Sequence, residues 1–231
     1  MINMLLSEAA KTVGSPLSGE DVTFYGCSTD SRTIEKGNLF IALRGEYFDG
    51  HQYIASAEKK GASSVIVDHE VSNTRPFLKV KNTRKAMGLL AKSWREKITI
   101  PLIAITGSNG KTTVKEMVTS ILSTVSSVHA TSGNLNNDIG VPKTLFGLNK
   151  NHNYAVIEMG ANKLGEIEWL SKISSPNVAV ITQCAPAHLE GFKDIESVAK
   201  AKAEIYSGLQ SSGTAIINAD DIYADFWRNN C

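Results

Sequence analysis

The stretch Ile103-Ala-Ile-Thr-Gly-Ser-Asn-Gly-Lys-Thr-Thr-Val114 decides the fold that this sequence predicts. An apolar run typical of a β-strand enters a glycine-rich turn, and a Lys-Thr pair then opens a helix. Gly107 and Gly110 let backbone N–H groups approach phosphate oxygens closely, and the positive end of the helix dipole lies beside them. The stretch therefore predicts a phosphate-binding loop between a strand and a helix.

The side chains of this loop predict a site for ATP and Mg²⁺. Lys111 would neutralise the terminal phosphates, and the hydroxyl of Thr112 would ligate Mg²⁺. The common motif has its first glycine where Ile105 stands here, so the loop is a shortened variant. A chance turn is the alternative, but the flanking strand and helix disfavour it. The predicted cofactor-binding residues are Gly107, Ser108, Asn109, Gly110, Lys111, Thr112 and Thr113.

Strands and helices are predicted to alternate after this loop, which indicates an α/β fold with a mostly parallel sheet covered by helices. A small α/β unit precedes it, so we expect two domains, residues 1–81 and residues 82–231. The chain stops soon after a strand, which suggests a fragment. The main predicted elements of the second domain are 102–106, 112–123, 154–159, 166–173, 178–182 and 195–209.

Composition excludes several classes of protein. The 24 basic and 23 acidic residues leave a formal charge of +1, so a nucleic-acid-binding surface is not expected. No apolar run approaches the roughly 20 residues of a membrane span, and the N-terminus lacks the features of a signal peptide. Three widely spaced cysteines fit a reduced cytoplasmic protein.

Two residues after the loop are candidate metal ligands. Glu158 ends an apolar strand, where ligands collect in parallel sheets, so it suits Mg²⁺. A solvated carboxylate is the alternative. His188 follows the next strand and is a second candidate ligand, although an isolated loop histidine is more often a surface residue.

Two further segments leave alternatives open. Lys200 and Lys202 are two residues apart on a predicted helix, so only one of them can face the site, and the pattern alone does not choose between them. The amide-rich turn at 131–138 suits a polar or phosphorylated ligand but is also common in plain loops.

Together these segments resemble the Mur ligases, the ATP-dependent amide-forming enzymes of peptidoglycan precursor synthesis, across essentially the whole chain. The resemblance is strongest to members that add D-alanyl-D-alanine to a UDP-N-acetylmuramoyl-tripeptide. It rests on Thr106-Gly-Ser-Asn-Gly-Lys-Thr-Thr113 and on residues 28–32, 42–51, 132–142, 158–162 and 185–191.

The resemblance implies a role for each matching residue. Lys111 would bind the ATP phosphates, Thr112 and Glu158 would hold Mg²⁺, and His188 would serve a second Mg²⁺. Lys202 matches a lysine that is carbamylated into a metal ligand. Lys111, Lys202 and His188 are therefore the expected catalytic residues. The substrate-binding residues that the resemblance implies are Ser31 and Arg32 for the uridine nucleotide and Asn134, Asn136 and Asn137 for the muramoyl part.

The resemblance also implies the organisation of the protein. Residues 1–81 would bind the UDP-linked substrate, and residues 82–231 would form a partial ATP-binding domain that lacks the family's C-terminal domain. We expect a cytoplasmic monomer with ATP, the UDP-linked tripeptide and D-alanyl-D-alanine as partners, and little activity from this chain alone. The alternatives are a sister ligase of the family and a non-catalytic module that binds a nucleotide or a UDP-sugar.

Overall fold

The structure, a computed structural model, describes residues 1–72, 75–186, 192 and 194–231. The chain divides into two compact units, Met1–Trp94 and Arg95–Cys231. This division lies inside the helix Thr83–Lys97, whereas the sequence placed the boundary between residues 81 and 82, just before that helix. The separate roles expected for the two domains stay predictions.

Strands and helices alternate in the first unit. The 3-10 helices Ser31–Thr33 and Gly50–Tyr53 interrupt them. The remaining elements are β1 (Asn3–Leu5), α1 (Leu6–Val13), β2 (Leu17–Ser18), β3 (Thr23–Tyr25), β4 (Cys27–Ser28), β5 (Leu39–Ile41), α2 (Ile54–Lys59), β6 (Ser64–Val67), β7 (Phe77–Lys79) and α3 (Thr83–Lys97), which continues into the second unit.

The main sheet of the first unit has the order β2-β7-β6-β5-β4, and only β2 runs antiparallel to its neighbour. Strands β5 and β6 are fully buried, and Phe40 and Val65 pack in one core with Ile54 and Ala57 of α2. Strands β1 and β3 form a separate antiparallel pair. The sequence did not predict β1 or α1, because the first six residues carry no turn signal that separates a strand from a helix.

The second unit contains the predicted parallel sheet. Its order is β12-β11-β8-β10-β9, and all the pairs are parallel. The predicted fold class is thereby confirmed. The elements are β8 (Leu102–Thr106), α4 (Lys111–Ser123), β9 (Val128–Ala130), α5 (Gly140–Phe146), β10 (Tyr154–Glu158), α6 (Glu166–Ser174), β11 (Val178–Ile181), α7 (Ile195–Ala203), β12 (Thr214–Ile217) and α8 (Ala224–Arg228).

The position of β8 in the middle of this sheet decides where a ligand can bind. The strands that follow it along the chain lie on both of its sides, β10 and β9 on one and β11 and β12 on the other. Connections that leave a central strand in opposite directions open a crevice at the carboxyl edge of the sheet. The glycine loop follows β8 directly, so it lies at this edge.

One predicted helix is shorter than expected. The sequence predicted a helix over 195–209, but the α-helical conformation ends at Ala203 and a 3-10 helix covers Glu204–Gly208. The 3-10 segment packs tightly on α6. The Ser171 hydroxyl of α6 donates to the Ile205 carbonyl at 2.5 Å, and a Cβ at Gly208 would lie only 2.3 Å from the Ser171 backbone.

The cysteines Cys27, Cys184 and Cys231 are free thiols. Along the described part of the chain, none of the helices combines the length and the apolar character that crossing a membrane requires.

A buried arginine holds the end of α3 to α6. The side chain of Arg95 is 4% exposed, and burial lowers the pKa of its guanidinium. Its Nε donates to the Ser174 carbonyl at 3.0 Å and its Nη2 donates to the Ile100 carbonyl at 2.9 Å, while Nη1 donates to the Ile98 carbonyl. One side chain thus satisfies carbonyl groups from two segments.

We expect Arg95→Met to lower the free energy of unfolding by about 2–4 kcal/mol, because it leaves these buried carbonyls without donors. Urea unfolding followed by circular dichroism measures the loss. Arg228→Met is the matched control, since the Arg228 side chain is 54% exposed and should contribute less than about 0.5 kcal/mol. A loss for Arg95→Met no larger than for the control would contradict the argument.

Candidate active site

The glycine loop has a shape that only glycine permits at its first position. Gly107 has φ +149° and Gly110 has φ +77°, both outside the range that other residues adopt readily. A Cβ at position 107 would lie 2.0 Å from Thr182 Oγ1 and 3.1 Å from the Gln183 nitrogen. Position 107 therefore excludes larger residues by space as well as by conformation.

The start of α4 fits a phosphate group. Gly110 is the N-cap of this helix and has no side chain that could accept hydrogen bonds from the N–H groups of the first turn. Thr113, in that first turn, is exposed. Unpaired N–H groups at the positive end of a helix favour an anion. The Lys111 ammonium donates to the carbonyls of Gly107 at 2.7 Å and Ser108 at 3.2 Å. Burial lowers the pKa of Lys111, and the charge of Glu158 partly opposes this shift.

The loop is tied to the segment that follows β11. Ser108 Oγ donates to the Ala185 carbonyl at 2.9 Å and accepts from the Ala185 N–H at 3.0 Å. The Ser108 N–H donates to Gln183, and Thr182 Oγ1 donates to the Asn109 carbonyl at 2.6 Å. These groups hold the shape of the loop, whereas direct cofactor binding by Ser108 and Asn109 stays a prediction.

Glu158 lies at the centre of the site, and the alternative of a solvated carboxylate is wrong. The residue is only 2% exposed. Its Oε2 accepts from Thr112 Oγ1 at 2.9 Å and its Oε1 accepts from Asn136 Nδ2 at 2.8 Å. A carboxylate and a hydroxyl at this separation offer the oxygen ligands that Mg²⁺ prefers, so the arrangement fits the predicted metal.

The three candidate asparagines have different surroundings. Asn136 contacts Glu158, and its carbonyl accepts from the Gly160 N–H at 2.8 Å. Asn137 Oδ1 instead accepts from two N–H groups at the start of α5, Ile139 at 3.2 Å and Gly140 at 2.9 Å. Asn134 is exposed. The structure thus brings only Asn136 into contact with Glu158, and substrate binding by all three stays a prediction.

The structure separates the two lysines that the sequence could not distinguish. Lys200 is exposed and pairs with Glu196 at 2.8 Å, and this hydrogen bond raises its pKa. Lys202 is 3% exposed. Burial, together with the positive charge of Lys111, lowers the pKa of Lys202 to about 8. Lys202 therefore lies close enough to Lys111 to interact with it. His188, the other predicted ligand here, lies outside the described residues.

The sequence did not predict a role for two further charged residues, the buried Lys115 and the partly buried Glu204. Lys115 is 2% exposed, and Glu204 accepts from the backbone N–H groups of Gly165 at 2.7 Å and Glu168 at 3.2 Å, which caps α6. Lys115 follows Thr112 by three residues and so shares its helical face, a spacing that could have identified it. The cap at Glu204 carries no local signal, because its partners are distant in sequence.

The first unit contains the candidate uridine residues. Ser31 is buried, whereas the Arg32 side chain is 86% exposed and pairs with Asp30 at 2.7 Å. The hydrogen bonds that the Arg32 guanidinium donates to the Asp30 carboxylate raise the pKa of Arg32. The partly exposed rings of Phe48 and Tyr53 stack with centroids 5.4 Å apart. The roles of Ser31 and Arg32 in binding a nucleotide stay predictions.

A histidine and aspartate cluster elsewhere in this unit has donor atoms that could hold a metal. His51, Asp68 and His69 place their ligand atoms within 4.8 Å of one another. However, the Arg44 guanidinium lies 3.1 Å from His69 Nδ1 and 3.4 Å from Asp68 Oδ1. A fixed positive charge against two of the three ligands disfavours a cation, so we assign no metal to this cluster.

The fold and the glycine loop define a doubly wound α/β protein with a candidate phosphate-binding site. The chain belongs to the Mur ligase family. Residues 105–231 match the model of the Mur ligase middle domain, and residues 23–95 match that of the Mur ligase family catalytic domain.

Individual relatives agree with this assignment. The chain is 46% identical over 221 residues to the UDP-N-acetylmuramoyl-tripeptide–D-alanyl-D-alanine ligase of Escherichia coli K12, and the match covers 96% of this chain and 49% of the relative. A crystal structure of MurF from Acinetobacter baumannii superimposes with a TM-score of 0.95 at 38% identity, covering 100% of this chain and 52% of that one. The chain thus spans about half the length of the relatives it matches.

A third comparison concerns the nucleotide. The MurF ligase of Thermotoga maritima, solved in complex with ADP, matches at 31% identity with a TM-score of 0.79. That match covers 84% of this chain and 46% of the other.

The lowered pKa of Lys202 leads to a test of its carbamylation. Only the neutral amine adds CO₂, so at fixed bicarbonate the carbamate should increase as the pH rises through about 8. We expect a carbamate signal in ¹³C NMR with labelled bicarbonate in the wild type and in Lys200→Met but not in Lys202→Met. A signal that depends on Lys200 would contradict the assignment.

Proposed function

We propose that this chain is part of an ATP-dependent ligase that adds D-alanyl-D-alanine to a UDP-N-acetylmuramoyl-tripeptide in peptidoglycan precursor synthesis. The observation that carries the proposal is the buried Glu158 carboxylate, which joins Thr112 of the phosphate-binding helix to Asn136 of the amide-rich loop. This contact links the candidate ATP and substrate segments. The names of the relatives supply the particular substrates.

The proposed reaction has two steps. The terminal carboxylate of the tripeptide attacks the γ-phosphorus of ATP, the bond to the bridging oxygen breaks, and ADP leaves. The amine of D-alanyl-D-alanine then attacks the acyl carbon of the acyl phosphate, phosphate leaves, and the amine loses a proton. This reaction requires alignment of the reactants and neutralisation of phosphate charge rather than a covalent enzyme nucleophile.

The residues of this chain have distinct tasks in the proposal. The glycine loop and the first turn of α4 hold the phosphates, and Lys111 offsets the charge that develops on the transferred group. Thr112 and Glu158 would hold Mg²⁺, which supplies positive charge to the phosphate oxygens when bound. Lys202, as a carbamate, and His188 would serve a second Mg²⁺. The three free thiols support a cytoplasmic location.

The test of this function separates turnover from binding. Phosphate release is measured with ATP, Mg²⁺, UDP-N-acetylmuramoyl-tripeptide and D-alanyl-D-alanine, and mass spectrometry identifies the amide product. Release that requires both the tripeptide and the amine supports the ligase. Binding of ATP and the UDP-linked tripeptide without product would favour a binding module for this chain. A different amine requirement would indicate a sister ligase of the family.

Lys111→Ala should weaken ATP binding to this chain by about 1.5–3 kcal/mol, since it removes a charged donor from the phosphate site. Any turnover should fall by about 10²–10³-fold. Calorimetry measures the affinity, and thermal unfolding checks that the variant is folded. Lys172→Ala is the control, because the Lys172 side chain is 53% exposed on α6. Unchanged affinity in a folded Lys111→Ala protein would contradict the site.

Arg32→Ala should weaken binding of the UDP-linked tripeptide by about 1.5–3 kcal/mol, because an exposed guanidinium forms charge-assisted hydrogen bonds with a diphosphate. Calorimetry with this substrate is the direct measurement. Lys11→Ala, which removes an exposed positive charge on α1 of the same unit, controls for the change in net charge. Equal affinities of the two variants would exclude Arg32 from the site.

A further inference from the structure

Lys115 is a buried positive charge to which the proposed mechanism gives no task. It belongs to α4, one turn after Thr112, and its side chain is 2% exposed. Removing an ammonium from water costs free energy unless its donors are satisfied, so such a residue needs a structural or functional reason. Its contacts indicate what that reason is.

The ammonium of Lys115 contacts the end of β9. Its Nζ donates to the Thr131 carbonyl at 2.9 Å and pairs with Glu116 Oε1 at 2.7 Å. The Glu116 side chain is 65% exposed, so Thr131 is the buried partner of the two. Lys115 therefore fixes the position of the residue from which the amide-rich loop departs.

Thr131, whose position Lys115 fixes, is in turn hydrogen-bonded to the strand that carries Glu158. Its N–H donates to the Val156 carbonyl at 3.0 Å, and its Oγ1 accepts from the Glu158 N–H at 2.9 Å. Thr131 is 3% exposed, so water does not compete for these bonds. The backbone of Glu158 is thus held from the β9 side, while its carboxylate is held by Thr112 and Asn136.

The two contacts of α4 act on the same acidic residue. Thr112 reaches the carboxylate of Glu158 directly, and Lys115 reaches its backbone through Thr131. Thr112 and Lys115 lie three residues apart on the same helix, so both contacts depend on how α4 is placed against β9 and β10. A shift of β9 relative to α4 would therefore change the separation between the Thr112 hydroxyl and the Glu158 carboxylate. Residues that hydrogen-bond to metal ligands without contacting the metal themselves affect metal affinity strongly.

We propose that Lys115 is a positioning residue, which through the Thr131 carbonyl sets the geometry of Thr112 and Glu158 for Mg²⁺. The inference rests on the proposed function, because it takes these two residues as the Mg²⁺ ligands. It assigns Lys115 no contact with the nucleotide. Its loss should therefore change the Mg²⁺ requirement of nucleotide binding more than the binding that occurs without Mg²⁺.

The experiment measures binding of a fluorescent N-methylanthraniloyl derivative of ADP to this chain as Mg²⁺ is titrated. In Lys115→Met we expect the half-saturating Mg²⁺ concentration to rise about tenfold, with affinity in EDTA nearly unchanged. Excess Mg²⁺ should restore binding. Thr112→Val should show a similar rise. Lys172→Met, which removes an exposed lysine from α6, should show none.

A purely structural role for Lys115 predicts a different result. In that case Lys115→Met would lower the thermal midpoint while the Mg²⁺ midpoint stayed at the wild-type value, and this outcome would overturn the proposal. If Lys115→Met does not fold, Lys115→Gln replaces it, because its polar head suits the buried position but is too short to reach Thr131. A wild-type Mg²⁺ midpoint in that variant would equally overturn the proposal.

The wild type distinguishes this proposal from the one on which it rests. If wild-type protein binds the nucleotide with no dependence on Mg²⁺, the assignment of Thr112 and Glu158 as metal ligands fails, and the role of Lys115 fails with it. If the wild type depends on Mg²⁺ and the Lys115 variants depend on it equally, only the role of Lys115 fails.

Discussion

A carboxylate that leaves water must have its oxygens hydrogen-bonded, and the candidate site depends on how Glu158 meets this requirement. One oxygen accepts from a hydroxyl on α4 and the other from an amide in the loop after β9. The parallel sheet provides the position, because β10 ends beside β8 and so delivers the carboxylate next to the glycine loop. Three segments that are distant in sequence are thereby joined at one acidic group.

Much of the second unit could be predicted because its signals are local. The apolar run of β8, the glycines after it and the periodic residues of α4 lie within about twenty residues, and each signal has a direct conformational cause. The central place of β8 was not predictable in the same way. Strand order depends on pairing between residues up to 75 positions apart, such as Thr106 and Ile181.

A site residue could be predicted where its position on a strand or a loop is itself typical of ligand binding. Glu158 is such a case, because the end of a parallel strand is a known position for ligands. Burial of a lysine is not encoded locally, so Lys200 and Lys202 looked alike, whereas the helical spacing of Lys115 from Thr112 was a local signal that was overlooked. Asn136 and Asn137 likewise look alike in the sequence. Asn136 contacts the distant Glu158, whereas Asn137 contacts the neighbouring N–H groups of α5, and sequence spacing does not reveal this difference.

The way in which Ser108, Thr182 and Ala185 hold the glycine loop has a thermodynamic consequence. These hydrogen bonds are formed within the protein itself, so the conformational entropy of ordering the loop is lost during folding rather than during binding. Lys111 already has two carbonyl partners, which a phosphate would replace with a negatively charged one. Association with an anion then requires the exchange of a few hydrogen bonds and little rearrangement of the main chain.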